Sequence, residues 1–200
     1  MLKVGIIGAG GMGNFHAGCY QHIPDVKLSG VYDISVEAAR NLAEKYHVTC
    51  YQQAQDIMDD REINIINVCL PTPHHREYVV NAARHGKHVF CEKPIATNLN
   101  DARLMIQTCR ENKVKFMVGH VLRYFPEYRK AKELVDNGKV GRPGVVHCSR
   151  IAAFPKIPWY ADYEASGGVA LDFIIHDFDF LRWCFGPVER VYAKGLLTRK

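Results

Sequence analysis

The sequence predicts an α/β fold: a doubly wound parallel sheet of the Rossmann kind, followed by an incomplete α/β domain. Three observations carry this. Apolar runs alternate with amphipathic stretches through the first 120 residues, a glycine fingerprint follows the first run, and a carboxylate closes the second. Alternation of this kind means strand, helix, strand, helix, which folds with right-handed crossovers and helices on both faces of a parallel sheet.

Taken in order, KVGIIG is a strand and a helix follows from about Met12. VKLSGVYD is the second strand, with SVEAARNLAEKY as its helix. INIINVCLP precedes PHHREYVVNAARHG, KHVFCEK precedes NDARLMIQTCRENK, and KFMVG closes the set. The expected division is therefore a dinucleotide-binding domain over 1–120 and the start of a substrate and oligomerisation domain over 121–200. In that second part YFPEYRKAKELVDN reads as a helix, with Pro126 in its first turn and Gly138 at its end. RPGVVHCSRIAAF reads as a strand, a proline-rich loop runs to about Tyr163, and PVERVYAKGLLTRK begins another strand. Two strands are too few for an independent sheet, so the second domain is expected to be truncated.

Composition narrows the class. With 48% hydrophobic and 24% charged residues, the chain is expected to be globular and not disordered. The net charge of +5 is spread without a basic block, which suits an anionic small ligand better than nucleic acid. No run is long enough for a spanning helix or shaped like a secretory signal, so no membrane partner is expected. Seven dispersed cysteines without a CxxC pair point to reduced thiols and a cytoplasmic location. His85, His88 and Cys91 are spaced suggestively, but a glycine and a strand-like run intervene, and no metal is expected.

The fingerprint is Gly8-Ala9-Gly10-Gly11-Met12-Gly13. Gly8 permits the tight turn, Gly10 lets a pyrophosphate approach the backbone, and Gly13 lets the helix pack closely, while the helix N-terminus offers unpaired N–H groups. A glycine turn of purely structural purpose would not need Asp33, which ends the second strand about twenty residues on. There a carboxylate accepts hydrogen bonds from both ribose hydroxyls and repels a 2′-phosphate, so NAD is expected over NADP. Ligands in such sheets bind outside the carboxyl ends of strands. That adds Pro71, Thr72 and His74 in the loop after the third of the strands named above, and Glu92 and Lys93 in the next, to Gly8, Gly10, Gly11, Met12, Gly13 and Asp33 as cofactor-binding candidates. The Lys93–Pro94 bond can be cis or trans.

The stretch SGGVALDFIIHDFD, residues 166–179, reads as an apolar helix for a protein interior, yet it carries three aspartates and a histidine. At about 100° per residue, Asp172, His176 and Asp179 fall within roughly 60° of one another and Asp177 points elsewhere. Buried ionisable groups gathered on one face are either paired in a structural network or used.

Together GAGGMG, VCLPTPHHREYVVNAARHGKHVFCEKPIA, RYFPEYRKAKELVDNGKVG and SGGVALDFIIHDFD resemble the glucose-fructose oxidoreductase, inositol dehydrogenase and MocA family along essentially the whole chain, and within it inositol 2-dehydrogenase most. Ser166 departs from the pattern, standing where many members have the first of three glycines. The resemblance implies an NAD(P)-binding domain, a C-terminal α/β domain that lines the substrate site and commonly oligomerises, and a dehydrogenase acting on a polyol or sugar hydroxyl. It assigns Lys93, Asp172 and His176 as the catalytic set. His176 would be the base, Asp172 the group that orients it, and Lys93 the cation that stabilises the developing alkoxide. Substrate-binding candidates are these three with Asp179 and Arg123. Tyr124, like Arg123, could reach substrate or cover surface; His147 could line the pocket or face solvent; Trp159 and Tyr160 could form part of the pocket rim or pack within their loop; and one of His74 and His75 could approach the nicotinamide ribose. The competing expectations are a dehydrogenase for another sugar or sugar derivative and an inactive NAD-binding fragment or sensor.

Overall fold

The computed structural model describes residues 1–153 and 157–195. Its chain divides into two compact units, the first comprising 1–119 and 153–173, the second 120–152 and 174–200.

The first unit is built on a six-stranded parallel sheet. In chain order it runs β1 (Leu2–Ile7), α1 (Gly11–Tyr20), β2 (Val26–Tyr32), α2 (Val36–Tyr46), β3 (Thr49–Cys50) and α3 (Ala54–Asp59). Then come β4 (Ile65–Val68), α4 (His75–Arg84), β5 (His88–Cys91), α5 (Leu99–Glu111) and β6 (Phe116–Val118). The strand order β3-β2-β1-β4-β5-β6 is the doubly wound arrangement the alternation predicts. Side chains alternate across each strand, so adjacent residues feed different layers. Ile6 packs with Ala17, Leu28, Val31 and Leu42 in one cluster, whereas Ile7 packs with Ile57, Ile66, Val79 and Met105 in the other. Burying each such side chain contributes roughly 1.5–3 kcal/mol.

Local chemistry sets the helix boundaries. The Ser35 hydroxyl accepts from Ala38 N–H at the start of α2, and Asn98 Oδ1 accepts from Asp101 N–H at the start of α5, 2.9 Å away. His47, in the left-handed region at φ 54°, ends α2. The pair β3 and α3 carries no sequence signal of its own. β3 is two residues long and is defined by pairing with Gly30 and Val31 of β2.

Two short helices, α7 (Pro158–Ala161) and α8 (Tyr163–Ser166), and a π-helical turn over Val169–Phe173 complete the first unit. The second unit contains a 3-10 turn over Val121–Tyr124, α6 (Pro126–Asp136) and α9 (Ile175–Phe185). Tyr128 of α6 meets Phe180 of α9 edge-on, ring centroids 5.0 Å apart.

Three expectations for the C-terminal part need correction. The strand expected over 142–154 is irregular through its described residues, with Val145 92% and Ile151 93% exposed. The strand expected from Pro187 is likewise irregular as far as 195, and its remainder lies outside the described residues. Neither segment has a described partner strand, and a strand alone has no hydrogen-bonded ladder to hold it. The apolar helix expected from 166 is interrupted. Gly167 and Gly168, at φ 71° and 67°, end α8, the π turn follows, and α9 begins at Ile175. A π turn holds one more residue than an α turn, so the 100° wheel does not run through Asp172. Nor is this segment buried all round, for Phe178 and Phe185 are exposed.

Candidate active site

Strand register levels one edge of the sheet. Ile7 pairs with both Tyr32 and Val68, Val68 with Cys91, and Cys91 with Val118. The five segments that follow these strands therefore emerge side by side, and the order reverses between β1 and β4, the position at which sheets of this kind take their ligands.

The glycine fingerprint fills the first of these positions. Gly8 has φ 103°, and a Cβ there would lie 2.4 Å from the Cys69 carbonyl oxygen. A Cβ on Gly13 would lie 1.9 Å from the Gly8 carbonyl oxygen, so α1 approaches the end of β1 as only glycine allows. Gly10 and Gly11 have nothing within 4 Å of a built Cβ, which leaves their backbone open to a ligand. No side chain caps α1 and no acidic residue stands in its first turn, so the N–H groups of Gly11, Met12 and Gly13 remain available to an anion. Asp33 Oδ2 accepts from Ala9 N–H at 2.6 Å and Oδ1 from Ser35 N–H at 2.8 Å. These bonds hold the carboxylate beside the loop, and each oxygen keeps a further lone pair for a ribose hydroxyl. These residues fit a dinucleotide.

After β4, Pro71 leads a 3-10 turn over Thr72–His74, with Thr72 buried and His74 exposed. His75, expected as a possible ribose contact, is fully buried instead. Its Nδ1 lies 3.0 Å from the Pro94 carbonyl oxygen and its Nε2 2.8 Å from that of Leu70. Desolvation lowers its pKa. The ring thus ties the β4 loop to the β5 loop.

After β5, Glu92 and Lys93 diverge, and the Lys93–Pro94 bond is cis. Glu92 is 9% exposed, with Oε1 3.0 Å from His16 Nε2 and Oε2 accepting from Lys93 N–H at 3.1 Å. Burial works to raise its carboxyl, but the hydrogen bond from His16, with that from the Lys93 N–H and the Lys93 charge, holds it below the usual carboxylate range. Lys93 Nζ donates to the Asp172 carbonyl oxygen at 2.8 Å and to Asp172 Oδ1 at 3.1 Å. Both side chains of this pair are mostly buried.

The segment carrying Asp172 is itself tied down. The Ser166 hydroxyl donates to the Asp162 carbonyl oxygen at 2.9 Å and accepts from Gly168 N–H at 3.0 Å, so the serine at the family's glycine position closes the turn before Asp172. Trp159 and Tyr160 stack at 4.1 Å. Burial, and then the charges of the Asp172 and Glu92 carboxylates, push the Tyr160 phenol up.

In the second unit, Arg123 and Asp179 find one another. Arg123 Nε and NH2 donate to Asp179 Oδ2 and Oδ1 at 2.7 and 2.6 Å, a bidentate pair, and His120 Nδ1 is 3.7 Å from Oδ2. They line a cleft of about 450 Å³ with Phe178, Arg182 and Trp183. Asp177, expected to point elsewhere, is held by Arg150, whose NH2 donates to Oδ1 at 2.9 Å. His176 lies in the first turns of α9. Tyr124 is 60% exposed, and His147 is exposed in the irregular segment where a strand was expected.

Sequence reasoning missed His16, Tyr20 and Asn67, which form a buried polar network with Glu92. His16 and Tyr20 share a face of α1 at spacing i, i+4, the one local signal available. Their partners come from β4 and the segment after β5, 47 or more residues away.

A level carboxyl edge, an open glycine turn on a helix N-terminus and a carboxylate held beside that turn define a dinucleotide-binding protein of the Rossmann class. The chain belongs to the GFO/IDH/MocA family: residues 2–120 match its oxidoreductase family with NAD-binding Rossmann fold, and residues 128–200 match its C-terminal domain. It is 36% identical to myo-inositol 2-dehydrogenase of Thermotoga maritima over 97% of this chain and 58% of that protein. A probable dehydrogenase from Thermotoga maritima superposes with a TM-score of 0.84 at 36% identity, covering 92% of this chain and 55% of that one. Levoglucosan dehydrogenase, in complex with NADH and levoglucosan, superposes at 0.81 with 25% identity, over 92% and 54%. The chain spans less than three fifths of the length of each. Among the described residues no helix is long and apolar enough to cross a membrane.

Proposed function

We propose that the protein is an NAD-dependent oxidoreductase that oxidises a secondary hydroxyl of a cyclic polyol or sugar, with an inositol as the leading substrate. One observation carries the reading: the Lys93–Asp172 pair lies in the same unit as the glycine turn, on the segment that follows β5 at the sheet's carboxyl edge. NAD, when bound, supplies the acceptor for the hydride. Gly10, Gly11, Met12 and Gly13 hold its phosphates, Asp33 its adenosine ribose, and Pro71, Thr72 and His74 line the approach to the nicotinamide end. Glu92, its oxygens already engaged, acts through Lys93.

Lys93 stabilises negative charge on the substrate oxygen, and Asp172 keeps the ammonium aimed and counterbalanced. His176, the base that the family likeness assigns, takes the hydroxyl proton. Arg123 and Asp179 present a fixed donor and acceptor set to the remaining hydroxyls. Asp33 leaves no room for a 2′-phosphate, which favours NAD. The seven cysteines are free thiols, which fits a cytoplasmic setting, and assembly into a homo-oligomer is part of the proposal.

The test is nicotinamide reduction by the full chain with NAD and then NADP, across inositols, aldoses and their derivatives. Turnover with NAD on one cyclic polyol or sugar, abolished in Lys93→Met, is the expected result. NAD binding without turnover on any of them would replace the enzyme with a binding protein.

A further inference from the structure

The buried network beneath the glycine turn joins the two halves of the proposed site. Asn67, fully buried on β4, directs its Nδ2 at His16 Nδ1, 2.8 Å away, and at the Tyr20 hydroxyl oxygen, 3.0 Å away. The Cys69 thiol donates to Asn67 Oδ1 at 3.4 Å. An amide nitrogen only donates, so His16 Nδ1 accepts and the ring proton sits on Nε2. That proton faces Glu92 Oε1 at 3.0 Å, and the other Glu92 oxygen holds the Lys93 peptide N–H. The ring of His16 rests against Phe90, centroids 5.5 Å apart. Each polar atom in this chain of contacts has a partner, which in a buried setting fixes one arrangement.

The chain of bonds has a direction. His16 rides on α1, three residues after Gly13, and Lys93 is the residue whose ammonium reaches Asp172. We propose that His16 is a positioning residue: by gripping Glu92 it fixes the Lys93 backbone, and so couples the helix that takes the cofactor's phosphates to the cation that faces the substrate oxygen. The inference rests on the proposed oxidoreductase reading for its catalytic consequence, but the placement of Lys93 is independent of turnover. A misplacement of about 1 Å at a reacting group costs on the order of 10²-fold in rate.

The imidazole has two separable contacts, and amide side chains can keep one each. In His16→Gln the amide nitrogen falls near the Nε2 position and retains the Glu92 bond. In His16→Asn the amide reaches only as far as Nδ1 and loses it. Three readouts are taken on the full chain: kcat and KM for NAD, NADH affinity by fluorescence, and the rate at which acetic anhydride labels Lys93, followed by peptide mass spectrometry without cofactor. The expected result for His16→Asn is a kcat lowered roughly 30- to 100-fold, NADH affinity within about 3-fold, and Lys93 labelled at least about 5-fold faster. His16→Gln is expected to restore all three to within about 3-fold. Glu92→Gln, whose amide turns a donor toward Lys93 N–H, is expected to reproduce the Asn phenotype with His16 in place, and it decides the matter if His16→Asn does not fold. Equal labelling of Lys93 in wild type, His16→Asn and Glu92→Gln would overturn the proposal. A wild-type chain without turnover would instead count against the oxidoreductase reading, and the labelling contrast would still judge His16.

Discussion

Replacing Gly13 by alanine separates the two jobs of the glycine fingerprint. The added Cβ would lie 1.9 Å from the Gly8 carbonyl oxygen and 3.0 Å from its carbon, and both are backbone atoms that no rotamer change can move. Helix α1 must retreat from β1 by roughly 1 Å, against the packing of Ala17 on Ile6, Leu28 and Val31. Overpacking of this kind costs about 1–3 kcal/mol or somewhat more when backbone must shift. For a chain of this size each kcal/mol moves Tm by about 2–4 °C, so Gly13→Ala should melt about 2–12 °C below wild type. Gly10→Ala is the internal control. Nothing lies within 4 Å of its Cβ and its φ of −69° suits alanine, so its Tm should stay within about 2 °C while NAD affinity falls, because the methyl occupies the space left for pyrophosphate. Thermal unfolding followed by circular dichroism, with and without NAD, reads both. A Gly13→Ala protein that melts with wild type would refute the close approach, and a Gly10→Ala protein that binds NAD normally would refute the phosphate contact.

Three more outcomes follow from the geometry. Asp33→Ala removes both the ribose acceptor and the anchor of Ala9 N–H, so NAD affinity should fall at least about 10-fold and NADP affinity less, as measured by titration of each nucleotide. Lys93→Met leaves a mostly buried Asp172 carboxylate without its cation and should cost roughly 3–5 kcal/mol in denaturant unfolding, whereas Asp172→Asn, which keeps an acceptor for Lys93, should cost less. Burial pushes Cys109 up to about 11 and Cys69, Cys91, Tyr20 and Tyr51 upward as well. Their folded forms therefore hold protons that the unfolded chain has released above about pH 9, so stability from this source is intact at neutral pH and falls as pH rises toward 11; denaturation midpoints that stay level across that range would contradict the burial.

Much of the first unit was legible because its signals are local. KVGIIG, the glycine spacing and Asp33 each specify a strand end or a turn within a few residues, and all fall where expected. The two-residue β3 escaped notice because only its pairing with β2 makes it a strand. The segment around Val145 and Ile151 shows the converse: its residue types favour a strand, but ladder bonds need a neighbour that composition cannot supply. At the candidate site, Lys93 and Asp172 were singled out through a family likeness, whereas the bond between them spans 79 residues and is a property of the fold. Glu92 reads as a surface-type acid beside a lysine, yet it turns inward because His16, unremarkable in its own helix, is waiting there. Between His74 and His75 the sequence does not choose, because nothing nearby announces the two carbonyl oxygens that enclose His75.

In the proposed reaction a hydride passes from a polyol carbon to nicotinamide at this edge of the sheet. The most direct measurement is single-turnover transfer of deuterium from an inositol deuterated at its oxidised carbon, with NAD and the full chain in excess, followed by mass spectrometry of the nucleotide. One deuterium is expected in the reduced nucleotide from the wild-type chain and none from Lys93→Met. Consumption of the inositol with no deuterium in the nucleotide would contradict it, as would undiminished transfer by Lys93→Met.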